Sequence, residues 1–422
     1  MSVPMYAARV RFPDESVPDV AAGVRNALDG SGLSFAAGAK IAVAAGSRGI
    51  ASIDLIVRTA VEWLRGRGAD PFIVPAMGSH GGATAEGQRD VLASYGITDA
   101  AMGAPIRSSM ETVRLDSSGS NVGLFMDRHA WESDGVLLVN RVKPHTDYHG
   151  FPESGLVKMA VIGLGKHAQA LAVHGLGIRG LKEAILPAAR RIFASGKIIG
   201  GIAVVENAYD RPLRIEAAAA ERIETMEREL LAVATASMAR LPLDEIDLLI
   251  VDEIGKDKSG TGLDTNVIGR IRISGEPEPD QPRIRSIAVM RLTPASHGNA
   301  LGIGLSDVIT RELYDSIDFA ATYENGLTSS FCERIKVPYV AADAAEAVRV
   351  ALRFAGLHPD PDVALRSARI VRIPNTLDLS SMLVSGTAAE ALRVRSDVTV
   401  SDDPRPLLDP DGRLPADYAP AI

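Results

Sequence analysis

The chain has a single cysteine, Cys332, in 422 residues. An intramolecular disulfide and a cysteine-based metal cluster are both excluded, and a reducing compartment is expected. Aromatic residues are scarce, at 5%, which suits Ala-rich helices laid on a sheet. No uninterrupted apolar stretch approaches the roughly 20 residues of a membrane span. The N-terminus carries Arg9 and Arg11 but lacks the apolar core of a signal peptide. The expectation is therefore a cytoplasmic protein with no membrane partner. No run of Lys or Arg stands out and the formal net charge is −8, so nucleic acid is not an expected partner. Internal repeats and low-complexity tracts are lacking as well. With 46% hydrophobic and 23% charged residues, the composition is that of a soluble globular protein. The length is great for one domain and comfortable for two.

What is present is an alternation of strand and helix signals. The apolar run Lys40-Ile41-Ala42-Val43-Ala44-Ala45 ends at Gly46 and reads as a buried strand. The spacing of Ile53, Ile56, Val57, Ala60, Val61 and Leu64 predicts a helix over 52–67. Pro71 to Ala76 reads as the next strand. Thr84 is placed to cap a helix through Leu92, with Glu86 in its first turn. Further strands are expected over 135–142 and 199–205. Strands separated by helices predict an α/β fold with a mostly parallel sheet. A long Ala/Glu-rich helix is expected over 216–239, and Leu241-Pro242-Leu243-Asp244 breaks it. A second α/β unit follows, with strands at 247–251, 284–292 and 367–373 and a helix at 343–354. The predicted organisation is an N-terminal α/β domain over 1–242 and a C-terminal α/β domain over 243–396, with the active-site cleft between them. The Pro/Asp-rich tail, 397–422, either packs back on the first domain or frays.

In open parallel sheets, function collects in the loops after the carboxyl ends of strands. Three such loops are conspicuous: Gly46-Ser47-Arg48-Gly49, Gly78-Ser79-His80-Gly81-Gly82 and Lys143-Pro144-His145-Thr146-Asp147. Four of the eight histidines, His145, His149, His167 and His174, fall within thirty residues, with Lys158 among them. Histidine titrates near neutrality and ligates metals, and glycine lets backbone approach a ligand closely. The plain alternative for His80 is an exposed turn histidine. Lys158 lies in the apolar run Leu156-Val157-Lys158-Met159-Ala160-Val161-Ile162. A lysine there is unfavourable unless paired, neutral or covalently modified. The plain alternative is a lysine snorkelling from a surface helix. If buried, its amine is a candidate nucleophile or attachment point. His145 and His149 have the four-residue spacing of helical metal ligands, but Pro144, Gly150 and Pro152 argue against a helix. His167 and His174, seven apart, share a helix face, and the plain alternative for His174 is a half-buried amphipathic histidine. The Gly-rich stretches 259–262 and 302–304 match neither a Walker loop nor a dinucleotide fingerprint.

Together these residues resemble the nickel-dependent lactate racemase family, the nickel-pincer-nucleotide 2-hydroxyacid racemases and epimerases, over most of the chain. His80 is similar to the first catalytic histidine of the family, and His145, in its Pro-His pair, to the second. Lys158 follows a similar pattern, Gly150-Phe151…Ser154-Gly155…Lys158, and His174 stands at the family's spacing from lysine to metal ligand. The resemblance implies two cofactor components, nickel and a pyridinium-3,5-bisthiocarboxylic acid mononucleotide joined covalently to Lys158. It implies His174 as the protein's metal ligand and His80 and His145 as alternate acid and base. It further implies cofactor contacts from Ser47, Arg48, Asp264 and Asn266, a substrate carboxylate clamp from Arg48 and Arg272, and cofactor-biosynthesis enzymes as loading partners. Departures cluster where substrate is held: Gly81-Gly82 stands for an Arg-Pro pair, Ala45 for an Asp, Gly49 for a Pro and Gly269 for a Gln. They point to a diverged subgroup acting on a larger or differently charged hydroxyacid.

That chemistry agrees with the residues. The α-carbon proton of a 2-hydroxyacid is very weakly acidic, whereas hydride removal gives a ketoacid and needs only an acceptor and a base for the hydroxyl. Two other classes remain open: an enzyme using Lys158 as a Schiff base or zinc for hydrolysis, and a non-catalytic protein that binds or delivers a nucleotide cofactor. The His80 and His145 pair argues against the last, since storage needs no acid–base couple.

Overall fold

The computed structural model describes residues 3–47, 49–117 and 122–415. They form two compact units, Pro13–Met238 and a second that joins residues 3–12 to 239–415. Both are α/β, with sheets that are parallel through their centres. In chain order the strands are β1 (Pro4–Val10), β2 (Lys40–Ala45), β3 (Asp70–Pro75), β4 (Thr112–Leu115), β5 (Leu124–Asp127), β6 (Gly135–Arg141), β7 (Ile198–Glu206) and β8 (Pro212–Ala219). They continue with β9 (Glu245–Ile254), β10 (Arg283–Leu292), β11 (Val308–Thr310), β12 (Tyr339–Ala341), β13 (Ile370–Ile373), β14 (Ser381–Ser385), β15 (Val398–Val400) and β16 (Arg405–Pro406).

The N-terminal unit holds a five-stranded sheet in the order β3-β2-β6-β7-β8. The first four strands run parallel and β8 closes the edge antiparallel. Ile41, Val43, Ile73, Leu137 and Val139 are fully buried, as expected of parallel strands covered on both faces. The helix Ile53–Gly66 turns Ile56, Val57, Ala60, Val61 and Leu64 into that core. Each such side chain contributes roughly 1.5–3 kcal/mol on burial. Thr84 accepts the Gly87 N–H at 3.0 Å and caps the helix Ala85–Ser94. From β2 the chain moves to β3 on one side, then crosses to β6 on the other. The crevice between the carboxyl ends of β2 and β6 is thus the topological switch point, where open α/β sheets bind ligands.

Residues 216–219 were expected to open a long helix. They complete β8 instead, and the helix runs only over Ile223–Ser237. Seven pairs of ladder against β7, from Gly200↔Ala219 to Glu206↔Pro212, outweigh the helix propensity of three consecutive alanines.

The C-terminal unit holds the larger sheet, in the order β12-β11-β10-β9-β13-β14-β1-β15, with β16 also on β1. Strands β9 to β13 are parallel, and β14, β1, β15 and β16 pair antiparallel. The placement of β1 corrects the expected boundaries. Residues 3–12 belong to this unit because β1 pairs with β14 from Met5↔Ser385 to Arg9↔Ser381 and buries Met5 and Ala7 in its core. The tail follows the same strand: β15 and β16 pair with β1, and the Leu407 N–H donates to Val3 O at 3.0 Å. Where packing on the first domain or fraying was expected, the described part of the tail pairs within this unit. Beneath the sheet's centre Arg372 meets Asp252 through two bonds of 2.9 and 2.7 Å, with both side chains buried.

No single helix among the described residues is long and apolar enough to cross a membrane. The segments Leu156–Gly163 and Lys166–His174 pass that test only as a pair bent by 105°. Their apolar side chains Val161, Leu164 and Val173 are buried within the N-terminal unit.

Candidate active site

Three loops leave the carboxyl ends of the adjacent parallel strands β3, β2 and β6, and each carries a residue singled out by the sequence. Ser47 follows β2, His80 follows β3 and His145 follows β6. The structure brings the first two together, with Ser47 Oγ 2.6 Å from His80 Nδ1. Ser47, expected against the cofactor, here holds the ring of the first histidine. His80 is half-buried and heads the tight turn Gly81–Ala83. Gly81 takes φ +65°, and a Cβ on it would lie 2.5 Å from the Gly87 backbone, so only glycine fits. Under the loop, buried Gln88 donates to Gly78 O at 2.8 Å and to His80 O at 3.3 Å.

His145 is 8% exposed. Its loop is closed by a two-bond bridge between Lys143 and Ser154. Within it, the Glu153 carboxylate accepts the His145 N–H at 2.6 Å and the Gly150 N–H at 2.9 Å. Tyr148 donates its hydroxyl to Pro152 O at 2.7 Å and lays its ring 4.7 Å from that of His145. Burial, then the Glu153 and Asp147 carboxylates, push the Tyr148 hydroxyl far above its ordinary pKa and keep it a donor. His145 Nδ1 accepts the Asp147 N–H at 3.1 Å, and His145 Nε2 touches Lys158 Nζ. His149 is exposed and lies 3.6 Å from Glu153 rather than forming a second helical ligand.

Lys158 is half-buried at the end of the short helix Leu156–Lys158. The backbone then widens into a π turn over Met159–Gly163, a distortion common at functional sites. The start of this segment is held by Glu227, fully buried, which accepts the Val157 N–H at 2.9 Å. Burial pushes the Glu227 carboxyl up to about 7, against the pull of the Val157 and Leu156 amides. The carboxyl fills the space where a side chain on residue 155 would stand: a Cβ on Gly155 would lie 2.3 Å from Glu227 Cδ. His174 ends the helix Lys166–His174 half-buried, while His167 on the same helix is exposed.

The expected contributors from the C-terminal unit are engaged within it. Asp264 caps the helix Thr265–Ile268, accepting from Asn266 N at 3.0 Å and Asn266 Nδ2 at 3.1 Å. Its own N–H donates to Thr376 Oγ1 at 2.9 Å. Arg272, at φ +47°, donates through Nη1 to Gly304 O and Ser306 O at 2.5 and 3.0 Å and through Nη2 to Asp307 at 2.6 Å. Arg272, expected to clamp a substrate carboxylate, here has both terminal nitrogens bonded to the unit's own oxygens. Arg48 lies outside the described residues.

Sequence reasoning missed Glu227, Gln88, Asp127 and Lys166. Lys166 carried a signal, a lysine in the Gly163-Leu164-Gly165-Lys166-His167 stretch. Glu227 carried none, since a glutamate on an amphipathic helix reads as a solvated face.

The chain is thus an α/β protein with His80 and His145 on loops at the carboxyl ends of neighbouring parallel strands and Lys158 against His145. No protein-family model and no curated protein sequence matches the chain. Among solved structures it is similar to the lactate racemase apoprotein from Thermoanaerobacterium thermosaccharolyticum, with a TM-score of 0.50 and 13% identity over 89% of this chain and 99% of that one. A protein from Thermotoga maritima is similar at a TM-score of 0.43 and 13% identity, over 64% of this chain and 69% of that one. The first of these shows that the chain has a lactate racemase-like fold.

Proposed function

We propose that the protein is a nickel-pincer cofactor-dependent isomerase that racemises or epimerises a 2-hydroxyacid. One observation carries this reading. On a lactate racemase-like fold, the loops of His80 and His145 flank the switch point of one sheet, and His145 touches Lys158.

The residues fit the cofactor. Lys158 offers an amine on a buried apolar segment, and His174 ends the next helix of that segment. Were nickel bound, His174 would be its protein ligand and the pincer nucleotide would supply the others; among the described residues no three His, Cys, Asp or Glu side chains group to hold an ion. Sulfur, carbon and imidazole donors suit square-planar nickel. When bound, the cofactor supplies a carbon that accepts and returns hydride. The chain's own residues move the hydroxyl proton. Ser47 holds His80 through Nδ1, and in this reading Nε2 of that ring serves the substrate hydroxyl. The Asp147 amide does the same for His145, whose Nε2 is released from the amine once Lys158 is modified. One imidazole serves each enantiomer as acid or base.

The test is coexpression with a pincer-cofactor pathway, followed by the mass of the Lys158 peptide and the nickel content. A nickel-bearing protein with an adduct on Lys158 is expected, and His80→Ala should retain both while losing interconversion. An unmodified Lys158, when the lactate racemase apoprotein loads in parallel, overturns the reading. A borohydride-trapped carbonyl adduct there moves it to a Schiff-base enzyme.

A further inference from the structure

Lys166 plays no part in that chemistry, yet two features of it run against stability. Its side chain is 0% exposed, and burial lowers its pKa against the opposing pull of Asp127. Its backbone stands at φ +56° where it opens the helix Lys166–His174. That conformation costs a non-glycine residue about 1–2 kcal/mol. Strain and buried charge of this kind persist only where the surroundings over-determine them, and they cluster where function needs fixed geometry.

The surroundings show what is being fixed. Lys166 Nζ donates to Pro75 O at 2.5 Å and Gln88 Oε1 at 2.9 Å, and lies 3.2 Å from Asp127 Oδ2. Pro75 ends β3, the strand whose loop carries His80. The Gln88 amide passes the contact on through its donors to Gly78 O and His80 O. The Gly78 N–H returns to Gly163 O at 3.2 Å, and the Asp127 N–H binds Leu164 O at 2.7 Å. The helix bearing His174 and the loop bearing His80 are thereby fastened to each other. The loop needs this support, because Gly78, Gly81 and Gly82 all stand at positive φ and bring no side chains to pack.

We propose that Lys166 is a positioning residue: through Gln88 it sets the place of His80 relative to the helix that ends in His174. This rests on the proposed function for what the two histidines do, but not for how they are held. Apolar residues of similar volume in place of both Lys166 and Asp127 would fill the space without buried charge, and such replacement of a whole buried pair is often neutral or stabilising, whereas removing the lysine alone leaves Asp127 unpaired. Fold stability alone therefore does not account for the lysine.

The experiment uses the full chain without cofactor, labelled with carbon-13 at its eight histidines, and follows each imidazole by NMR through a pH titration. Gln88→Glu keeps an acceptor for Lys166 but removes the donor to Gly78 and His80. It loosens the loop while leaving the buried lysine paired. Lys166→Met removes the strut. Both variants are expected to move the His80 signal and shift its titration midpoint by about half a pH unit or more, with His129 and His145 unmoved. In loaded enzyme, kcat should fall roughly ten- to hundredfold with KM little changed. An unmoved His80 in both variants overturns the proposal, as does a shift shared equally by every histidine. If Lys166→Met does not fold, Gln88→Glu decides alone. A displaced His80 in a protein that never loads cofactor upholds the strut and refutes the proposed function, so the two fail separately.

Discussion

Replacing Glu227 with Gln should make the N-terminal unit more stable at pH 8 and leave it nearly unchanged at pH 4.5. The Glu227 carboxyl is pushed by burial from the ordinary 4.5 to about 7. A raised pKa means that the folded state favours the protonated acid. The stability this contributes is fully present below about pH 4.5 and is lost as pH rises through about 7. The gap, 7 minus 4.5 or about 2.5 pH units, at about 1.4 kcal/mol each, gives a loss of roughly 3.5 kcal/mol. A Gln carbonyl still accepts the Val157 N–H that Glu227 accepts at 2.9 Å, and it does not ionise. Urea unfolding read by tryptophan fluorescence is the assay, because the two tryptophans, Trp63 and Trp131, both lie in the N-terminal unit. With a slope of about 1–3 kcal/mol per molar urea, the variant's midpoint should exceed the wild type's by about 1–3 M at pH 8 and by little at pH 4.5. A midpoint difference that does not change with pH would refute the burial argument. So would a variant less stable than wild type at pH 8.

Gly155→Ala places a methyl 2.3 Å from Glu227 Cδ and should destabilise the same unit by about 1–3 kcal/mol, an effect relieved in the Glu227→Ala background. Ser47→Ala removes the 2.6 Å contact to His80 and, in loaded enzyme, should lower kcat roughly 2- to 10-fold with its pH profile displaced. An unchanged profile would separate Ser47 from the acid–base step. Arg372→Met leaves Asp252 buried without its two-bond partner, and thermal unfolding of the C-terminal unit should show a loss of about 3–5 kcal/mol. Arg272→Ala should cost about 1–3 kcal/mol of that unit's stability through its bonds to Asp307 and two carbonyls. A raised KM without any stability loss would restore it to the substrate.

Much of this was legible before folding. The apolar runs at β2, β3, β6 and β7 and the spacing of Ile53 to Leu64 are local patterns, and the structure places strands and a helix on them. The loops of Ser47, His80 and His145 were visible because Gly and Pro punctuate strand ends. Residues 216–219 were misread because three alanines favour a helix in isolation, and only the β7 edge makes them a strand. Residues 3–12 were assigned to the wrong unit for a related reason: nothing near Pro4–Val10 in sequence signals that its partners are β14, β15 and β16.

The sequence by itself determined the α/β class, the strand-end loops and the histidines and lysine worth testing, because periodicity and turn chemistry act over a few neighbouring residues. Tertiary structure decided which of them meet. The Ser47–His80 pair, the Glu227 carboxyl under Val157, and the Lys166 ammonium against Pro75 O join residues 33, 70 and 91 positions apart. Contacts at such separations exist only once the sheet has brought its loops to one end and burial has made an unpaired polar group too unfavourable to keep.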